Sequence, residues 1–290
     1  MMSQTKAALW MIGAISSFTA MAIAGRAVSA ELDTFEIMTY RSFVGIFLVV
    51  VISRLMRTHR QINTEQLGLH FTRNFFHFAG QNLWFFALSA IPLAQVIALE
   101  FTSPLWAMLL APLILSEKIT AQRIIAAAVG FVGVLIVARP DPSAVELGQI
   151  TAALAAIGFA MSALLTRRLT RTQSITTIMF YLTVFQAVFG VVCAGIDGDM
   201  AVPTWQAVPW LVLIGCSGLV AHFCLTSALS LAPATLVMPI DFARLPVMAF
   251  VGWALYSEQI DLFVVGGALI IFGANYYNIL SETRASKRVS

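Results

Sequence analysis

The sequence predicts an all-α integral membrane protein of ten transmembrane helices, arranged as two inverted-topology five-helix repeats. Three observations carry that expectation. The chain is 59% hydrophobic and only 11% charged, whereas a soluble globular domain carries about 25% charged residues. Its apolar runs are long enough to cross a hydrocarbon core, which takes about 20 residues as a helix. Finally, the chain repeats itself. The stretch FALSAIPLAQVIALEFTSPLWAMLLAPLILSEKI from Phe86 returns from Ser227 as SALSLAPATLVMPIDFARLPVMAFVGWALYSEQI. A shift of 141 positions needs no gap through Ile119 and Ile260: Ala87-Leu88-Ser89 falls on Ala228-Leu229-Ser230, Pro92 on Pro233, and Ser116-Glu117 on Ser257-Glu258. An internal repeat of this length decides the fold before any single residue does.

In chain order the spans are placed at about 6–25, 36–56, 70–90, 93–115, 121–138, 147–166, 175–195, 207–229, 234–256 and 261–280, from apolar runs separated by short polar turns. The first follows Lys6 and precedes Val28-Ser29-Ala30, a pattern shared with signal peptides. Its apolar run from Ala7 to Ala24 is long for such a segment, and the five-span repeat needs it, so it is read as a helix that stays. Pro92 and Pro233 open two spans where a missing N–H costs little. Thr120 and Asp261 have the chemistry of helix N-caps. Pro104, Pro112, Pro239 and Pro246 are expected to interrupt spans four and nine. Backbone groups in lipid must be satisfied internally, so a helical bundle is the architecture these runs allow.

The repeat divides the chain into residues 1–143 and 144–290. The shift of 141 also places Met179 on Met38 and Tyr181 on Tyr40, while a shift of 145 places Ile157-Gly158 on Ile12-Gly13. Orientation follows from Lys and Arg, which favour the cytoplasmic side. With the N-terminus inside, thirteen of them, Arg73 included, fall inside and only Arg26 and Arg139 outside. Both termini are therefore expected in the cytoplasm. Because five is odd, the second repeat enters the membrane with opposite polarity. Inverted repeats are the architecture of secondary transporters, with the binding site near the midplane between the halves. A duplication that only stabilises a bundle is the competing reading.

Composition excludes several classes. A net charge of +3 spread over short loops is no nucleic-acid surface. Cys193, Cys216 and Cys224 all lie inside apolar runs and form neither a disulfide framework nor a metal-ligand spacing. No cofactor, metal or phosphate-loop motif is present. Gly215-Cys216-Ser217-Gly218 reads G-x-S-G within a span, as in an intramembrane serine protease. Such a site needs a base on another helix; His222 follows in the same one, and helix packing is the better reading.

Ionisable groups within the bilayer usually face a cavity or a partner. Arg41, Glu100, Asp241 and Arg244 are four such groups, and Glu100 and Asp241 are repeat mates. They either line a cavity for a charged or zwitterionic solute or form two locking ion pairs, Arg41–Glu100 and Asp241–Arg244. Asn74, His77, Gln81 and Trp84 share one face of span three. Gln81 falls on His222 in the second half, so a wet, aromatic-edged pathway is expected there. The expected transport site is Arg41, His77, Gln81, Trp84, Glu100, His222, Asp241 and Arg244. Carboxylates and histidines able to exchange protons make proton antiport the expected coupling. Arg244 replaces its mate Ser103, a contrast that points to an anionic cargo group near the second half. Small residues in spans five and ten, such as Gly133 and Gly267, suit close helix or dimer contact.

The A-L-x-x-x-P turns, the acid eight residues on, Phe101-Thr102 with Pro104-Leu105, and Ser116-Glu117 make the sequence resemble the EamA family of the drug/metabolite transporter superfamily. The resemblance spans both halves. It implies ten helices, cytoplasmic termini and a central cavity lined by spans one, three, four, six, eight and nine. It also implies export of an amino acid or amino-acid-derived metabolite across a bacterial inner membrane, by a monomer or homodimer. The alternatives it leaves are import of S-adenosylmethionine or riboflavin, or export of an opine-type metallophore. A membrane-embedded enzyme or structural subunit is the reading from a different class.

Overall fold

The computed structural model describes residues 2–116, 121–139, 146–196, 200–233, 237 and 240–289. Among these residues the chain is all helical, with no strand. The first half contains α1 (Met2–Val28), α2 (Thr34–Leu55), α3 (Leu67–Ala90), α4 (Leu93–Glu100), α5 (Ser103–Leu115) and α6 (Ala121–Ala138). The second contains α7 (Leu147–Leu169), α8 (Ile175–Ala194), α9 (Ala207–Leu231), α10 (Arg244–Tyr256) and α11 (Leu262–Val289). By length and composition, six stretches suit a membrane crossing: Thr5–Val28, Thr34–Leu55, Leu93–Leu115, Leu147–Leu169, Ile175–Ala194 and Ala207–Leu231. Shorter apolar helices run over Ala127–Ala138, Arg244–Tyr256 and Leu262–Ala274. The apolar runs thus turn into helices close to where hydropathy places them.

Local chemistry explains the ends. Asp33 caps α2 through a reciprocal capping box, accepting from the Glu36 N–H while the Glu36 carboxylate accepts from the Asp33 N–H. Such a box satisfies two donors that helix geometry leaves free. Asp261 accepts from the Val264 N–H at 3.0 Å, the cap its position suggests. Thr120 lies outside the described residues, as do Glu117, Asp197, Asp199 and Pro239.

The repeat is written into the backbone as well as the sequence. Ile91 and Ala232, repeat mates, leave α3 and α9 in extended conformation. Ser116 and Ser257, also mates, end α5 and α10 with φ of 58° and 56°. That left-handed turn is a common way to stop a helix, although glycine usually occupies it.

Span four is two helices. The break falls at Phe101 and Thr102, directly after Glu100, and Pro104 lies in the first turn of α5. A short 3-10 turn, Asp241–Ala243, stands at the mate position before α10. The expected interruptions at Pro112 and Pro246 do not occur: Pro112 lies inside α5 and Pro246 in the first turn of α10. A proline early in a helix removes an N–H that needs no partner, so the irregular backbone sits beside the two acids instead.

Helices of one half pack mainly on helices of the other. The dominant pairs are α1 with α9, α3 with α7, α2 with α8 and α6 with α11; α5 with α7, α2 with α9 and α4 with α10 are weaker and outside this set. Exchanging the halves leaves this set of pairs unchanged. The α6–α11 contact explains the small residues of these two helices. A side chain built on Gly133 would stand 2.9 Å from the Gly267 carbonyl oxygen, and one on Gly267 would stand 2.7 Å from that of Gly133. Their backbones therefore meet within the chain.

Candidate substrate cavity

Between the halves lies a partly open cavity. Its walls come from α1, α3, the α4–α5 break, α7, α9 and the turn into α10. These are the same six spans that the family resemblance names. Of the expected stripe on α3, Asn74 does not line it and bonds the His70 and Tyr181 carbonyls instead; His77, Gln81 and Trp84 do, joined by Arg73. Spacings of four, four and three residues keep those side chains on one side of the helix.

At one end two carboxylates share one guanidinium. Arg244 pairs with Glu100 and also, at 2.6 Å, with Asp241. The Trp84 indole N–H donates to Glu100 at 2.8 Å. The Arg244 guanidinium lies 5.1 Å from the Phe18 ring centroid and 5.7 Å from that of Phe101, within range of cation–π attraction. The cluster carries one more carboxylate than cation. Asp241 Oδ1 and Arg244 Nε are buried with no hydrogen-bond partner. Such groups are normally satisfied by protein or water, so the cluster has acceptor and donor capacity turned to whatever fills the cavity.

The middle is aromatic and imidazole-lined. His77 and His222 meet edge to face with ring centroids 4.5 Å apart, and Phe18 packs edge-on against His222 at 5.5 Å. Nε2 of each histidine is buried without a partner. Gln81 stands beside them, its amide carbonyl accepting from Arg41 at 2.6 Å. That bond fixes which end of the amide faces the guanidinium and leaves the NH₂ end on the other side.

At the far end is Arg73. Its Nε donates to Thr166 at 3.0 Å and its Nη1 to Asn74 at 2.8 Å. Both partners are neutral. Among the described residues no carboxylate pairs with Arg73, although it is only 2% exposed.

Seven of the eight expected site residues, namely His77, Gln81, Trp84, Glu100, His222, Asp241 and Arg244, line this cavity. Arg41 does not: it lies behind Gln81, with Met21 and Met38 sulfurs near its Nη1 at 3.9 and 3.7 Å. The expected Arg41–Glu100 pair is absent, because Arg244 takes both acids. Nor is Arg244 an uncommitted cation. Among the described residues Arg41 and Arg73 are the buried cations that no carboxylate pairs with, and of the two only Arg73 lines the cavity. Counting Lys and Arg by side entered Arg73 only as an inside charge near the start of span three; its spacing of four residues from His77 is the signal that it joins the cavity side of α3.

The G-x-S-G tetrad is a packing feature. The Ser217 hydroxyl donates to Leu213 O at 2.5 Å, within its own helix. A side chain on Gly218 would stand 3.2 Å from Arg41 Nη2, and one on Gly215 2.7 Å from Val44. The glycines let α9 approach α2, and no histidine bonds Ser217.

A polytopic helical bundle folded around a central, largely apolar cavity that carries a few ionisable groups defines a class: multi-pass membrane proteins that handle a small molecule. The particular family follows from comparison. The model of the EamA-like transporter family matches residues 5–139 and 146–279, and the chain belongs to that family. It is therefore a membrane transporter. It is similar to a riboflavin transporter of Brucella anthropi, 29% identical over 96% of this chain and 99% of that one. It is also similar to an S-adenosylmethionine uptake transporter of Rickettsia bellii, 28% identical over 97% and 96%. A riboflavin transporter of Vibrio cholerae is 29% identical over 97% and 95%. A crystal structure at 15% identity superposes with a TM-score of 0.76, covering 97% of this chain and 99% of that chain, and shares the fold.

Proposed function

We propose that this protein is a secondary transporter working by alternating access, and that its cargo is a zwitterionic amino acid or amino-acid-derived metabolite. The observation that carries the reading is the polarised cavity: a cluster with one excess carboxylate at one end and an unpaired guanidinium at the other. Uptake, named in the rickettsial relatives, favours import over the export that the family resemblance alone implies. Glu100, Asp241 and the two histidines are the groups through which proton coupling would act.

The remaining parts of the reading are ten spans, a repeat boundary near residue 143, inverted halves and cytoplasmic termini in a bacterial inner membrane. The self-matching pattern of helix pairs supports inversion, because a two-fold that exchanges five-span halves must lie in the membrane plane. Charge placement supports the orientation. The two cations expected outside, Arg26 and Arg139, pair with Glu258 and Asp261, whose loop falls on that same side when ten spans are counted from a cytoplasmic N-terminus. With Arg73 moved into the bundle, the inside excess is still large. The Glu258 carboxylate also accepts from the Leu93 N–H at 3.0 Å, so it ties the end of α10 to the start of α4 and closes the outer face. Gly133 and Gly267 are used within the chain, so no dimer is needed to explain them.

Proteoliposomes holding the purified protein test the reading with a panel of amino acids, S-adenosylmethionine and riboflavin. Accumulation or counterflow of at least one zwitterion above protein-free vesicles is expected. Absence of flux for the whole panel in both directions would remove the proposal.

A further inference from the structure

The cavity measures its cargo. Arg73 and Trp84 stand on the same helix and both line it. They are about eleven residues apart, or roughly 16 Å of helical rise. Trp84 holds Glu100, and Glu100 holds Arg244 with Asp241. Arg73 is fixed at the opposite end by Thr166 and Asn74, and a helical side chain leans toward its own N-terminus, away from Trp84. An α-amino acid separates its ammonium and carboxylate by a single carbon, so it reaches one of these ends and not both. Between them stand Phe18, Phe159, His77 and His222, flat groups with the two imidazole Nε2 atoms unpartnered.

Resting on the transport reading above, we infer that Arg73 is the residue that selects the cargo, and that the cargo is an elongated solute. It carries an anionic group for the Arg73–Thr166 end, cationic charge attracted by the Asp241–Glu100 acids, and a planar ring system that packs on the aromatic wall. Three structural facts fit together in this way. Arg73 is a buried cation with only neutral partners, and a buried charge is costly unless paired; a cargo anion supplies the pair. Asp241 Oδ1 is a buried acceptor without a donor, and a cargo cation supplies one. The imidazoles offer hydrogen bonds at mid-cavity to ring heteroatoms. Thr166 is a positioning residue that orients the Arg73 fork.

The test uses the full-length protein in detergent and in proteoliposomes, with three probes. S-adenosylmethionine is long, zwitterionic and ring-bearing. Its decarboxylated analogue keeps the length, ring and cations but lacks the anion. Methionine keeps the zwitterion and lacks the length. Binding is read as ligand-induced thermal stabilisation, transport as counterflow. Wild type is expected to bind the first probe at least about tenfold more tightly than either other, since a hydrogen-bonded charge pair contributes that much or more. Arg73→Gln should weaken the first probe by a similar factor and leave the decarboxylated one unchanged. Arg73→Lys, which keeps the charge, should recover part of the loss and shows that the variants fold. Methionine binding and moving as well as the long probe would overturn the inference while transport stands. So would riboflavin or the decarboxylated probe binding as tightly as the carboxylated one. Absence of flux for every solute would instead remove the transport reading and the inference with it.

Discussion

Glu100 in the first repeat and Arg244 in the second form an ion pair inside the bundle. Asp241, the repeat mate of Glu100, binds the same guanidinium at 2.6 Å. Two acids at equivalent positions thus converge on one arginine that has no equivalent. The repeat places a carboxylate at each of two equivalent positions, and Arg244 stands where the first half has Ser103. Removing the arginine should cost more than removing either acid. Arg244→Gln leaves two buried carboxylates adjacent and is expected to destabilise the protein by about 3–5 kcal/mol. Glu100→Gln keeps the Asp241 partner and should cost about 1–3 kcal/mol. A double-mutant cycle on thermal or denaturant stability reads the coupling; independent, additive losses would show that the pair does not act as a unit.

Glu258 joins Arg26 to the first turn of α4, on the face that the proposed topology puts outside. Glu258→Gln removes the charge while keeping the size. Its expected effect is easier opening on that side. In a protein whose three cysteines are replaced and which carries Ser103→Cys in the cavity wall, a membrane-impermeant thiol reagent added outside should label several-fold faster with Glu258→Gln. Equal labelling rates would mean that this contact is no latch.

Helices α6 and α11 meet at Gly133 and Gly267 with no room for a Cβ. Gly133→Leu should therefore destabilise by about 1–3 kcal/mol through overpacking, without altering cargo affinity in the folded fraction. Gly266, where a side chain meets nothing within 4 Å, is the control: Gly266→Ala should be neutral or slightly stabilising, because it replaces glycine within a helix.

Asp261 supplies a small acid-sensitive term. The Val264 N–H, and then Arg139 at 2.6 Å, hold its carboxyl below the usual carboxylate range. A depressed value means the contribution is complete above the ordinary value of about 4 and is lost as pH falls through the lower folded one. The stability gap between wild type and Asp261→Asn should narrow between roughly pH 5 and pH 3. The pair is partly exposed, so the gap is modest. A gap that stays constant across that window would contradict the assignment.

Much of this was legible in the sequence, because hydropathy and repetition are strong signals. The apolar runs gave most helix ends to within a few residues, and the repeat gave Glu100 and Asp241 as mates. Depth along a helix, by contrast, does not say which neighbour a side chain meets. Arg41 and Glu100 lie at similar depth, yet Arg41 turns to Gln81 because Arg244 already occupies Glu100. Arg73 was counted only as an inside charge, although it sits one turn before His77 on the same side of α3. Of the interruptions expected in span four, the one at Pro104 falls just before that residue, at Phe101 and Thr102, because the proline has no N–H to bond the Glu100 carbonyl; none occurs at Pro112.

The most direct test of the central claim is counterflow of labelled S-adenosylmethionine in proteoliposomes containing wild type, Glu100→Gln or Arg168→Gln. Glu100 holds one end of the cavity, while Arg168 is exposed at the end of α7. The account predicts flux with wild type and Arg168→Gln, and loss of most of it with Glu100→Gln. Flux that survives intact in Glu100→Gln would contradict a cargo path through this cavity.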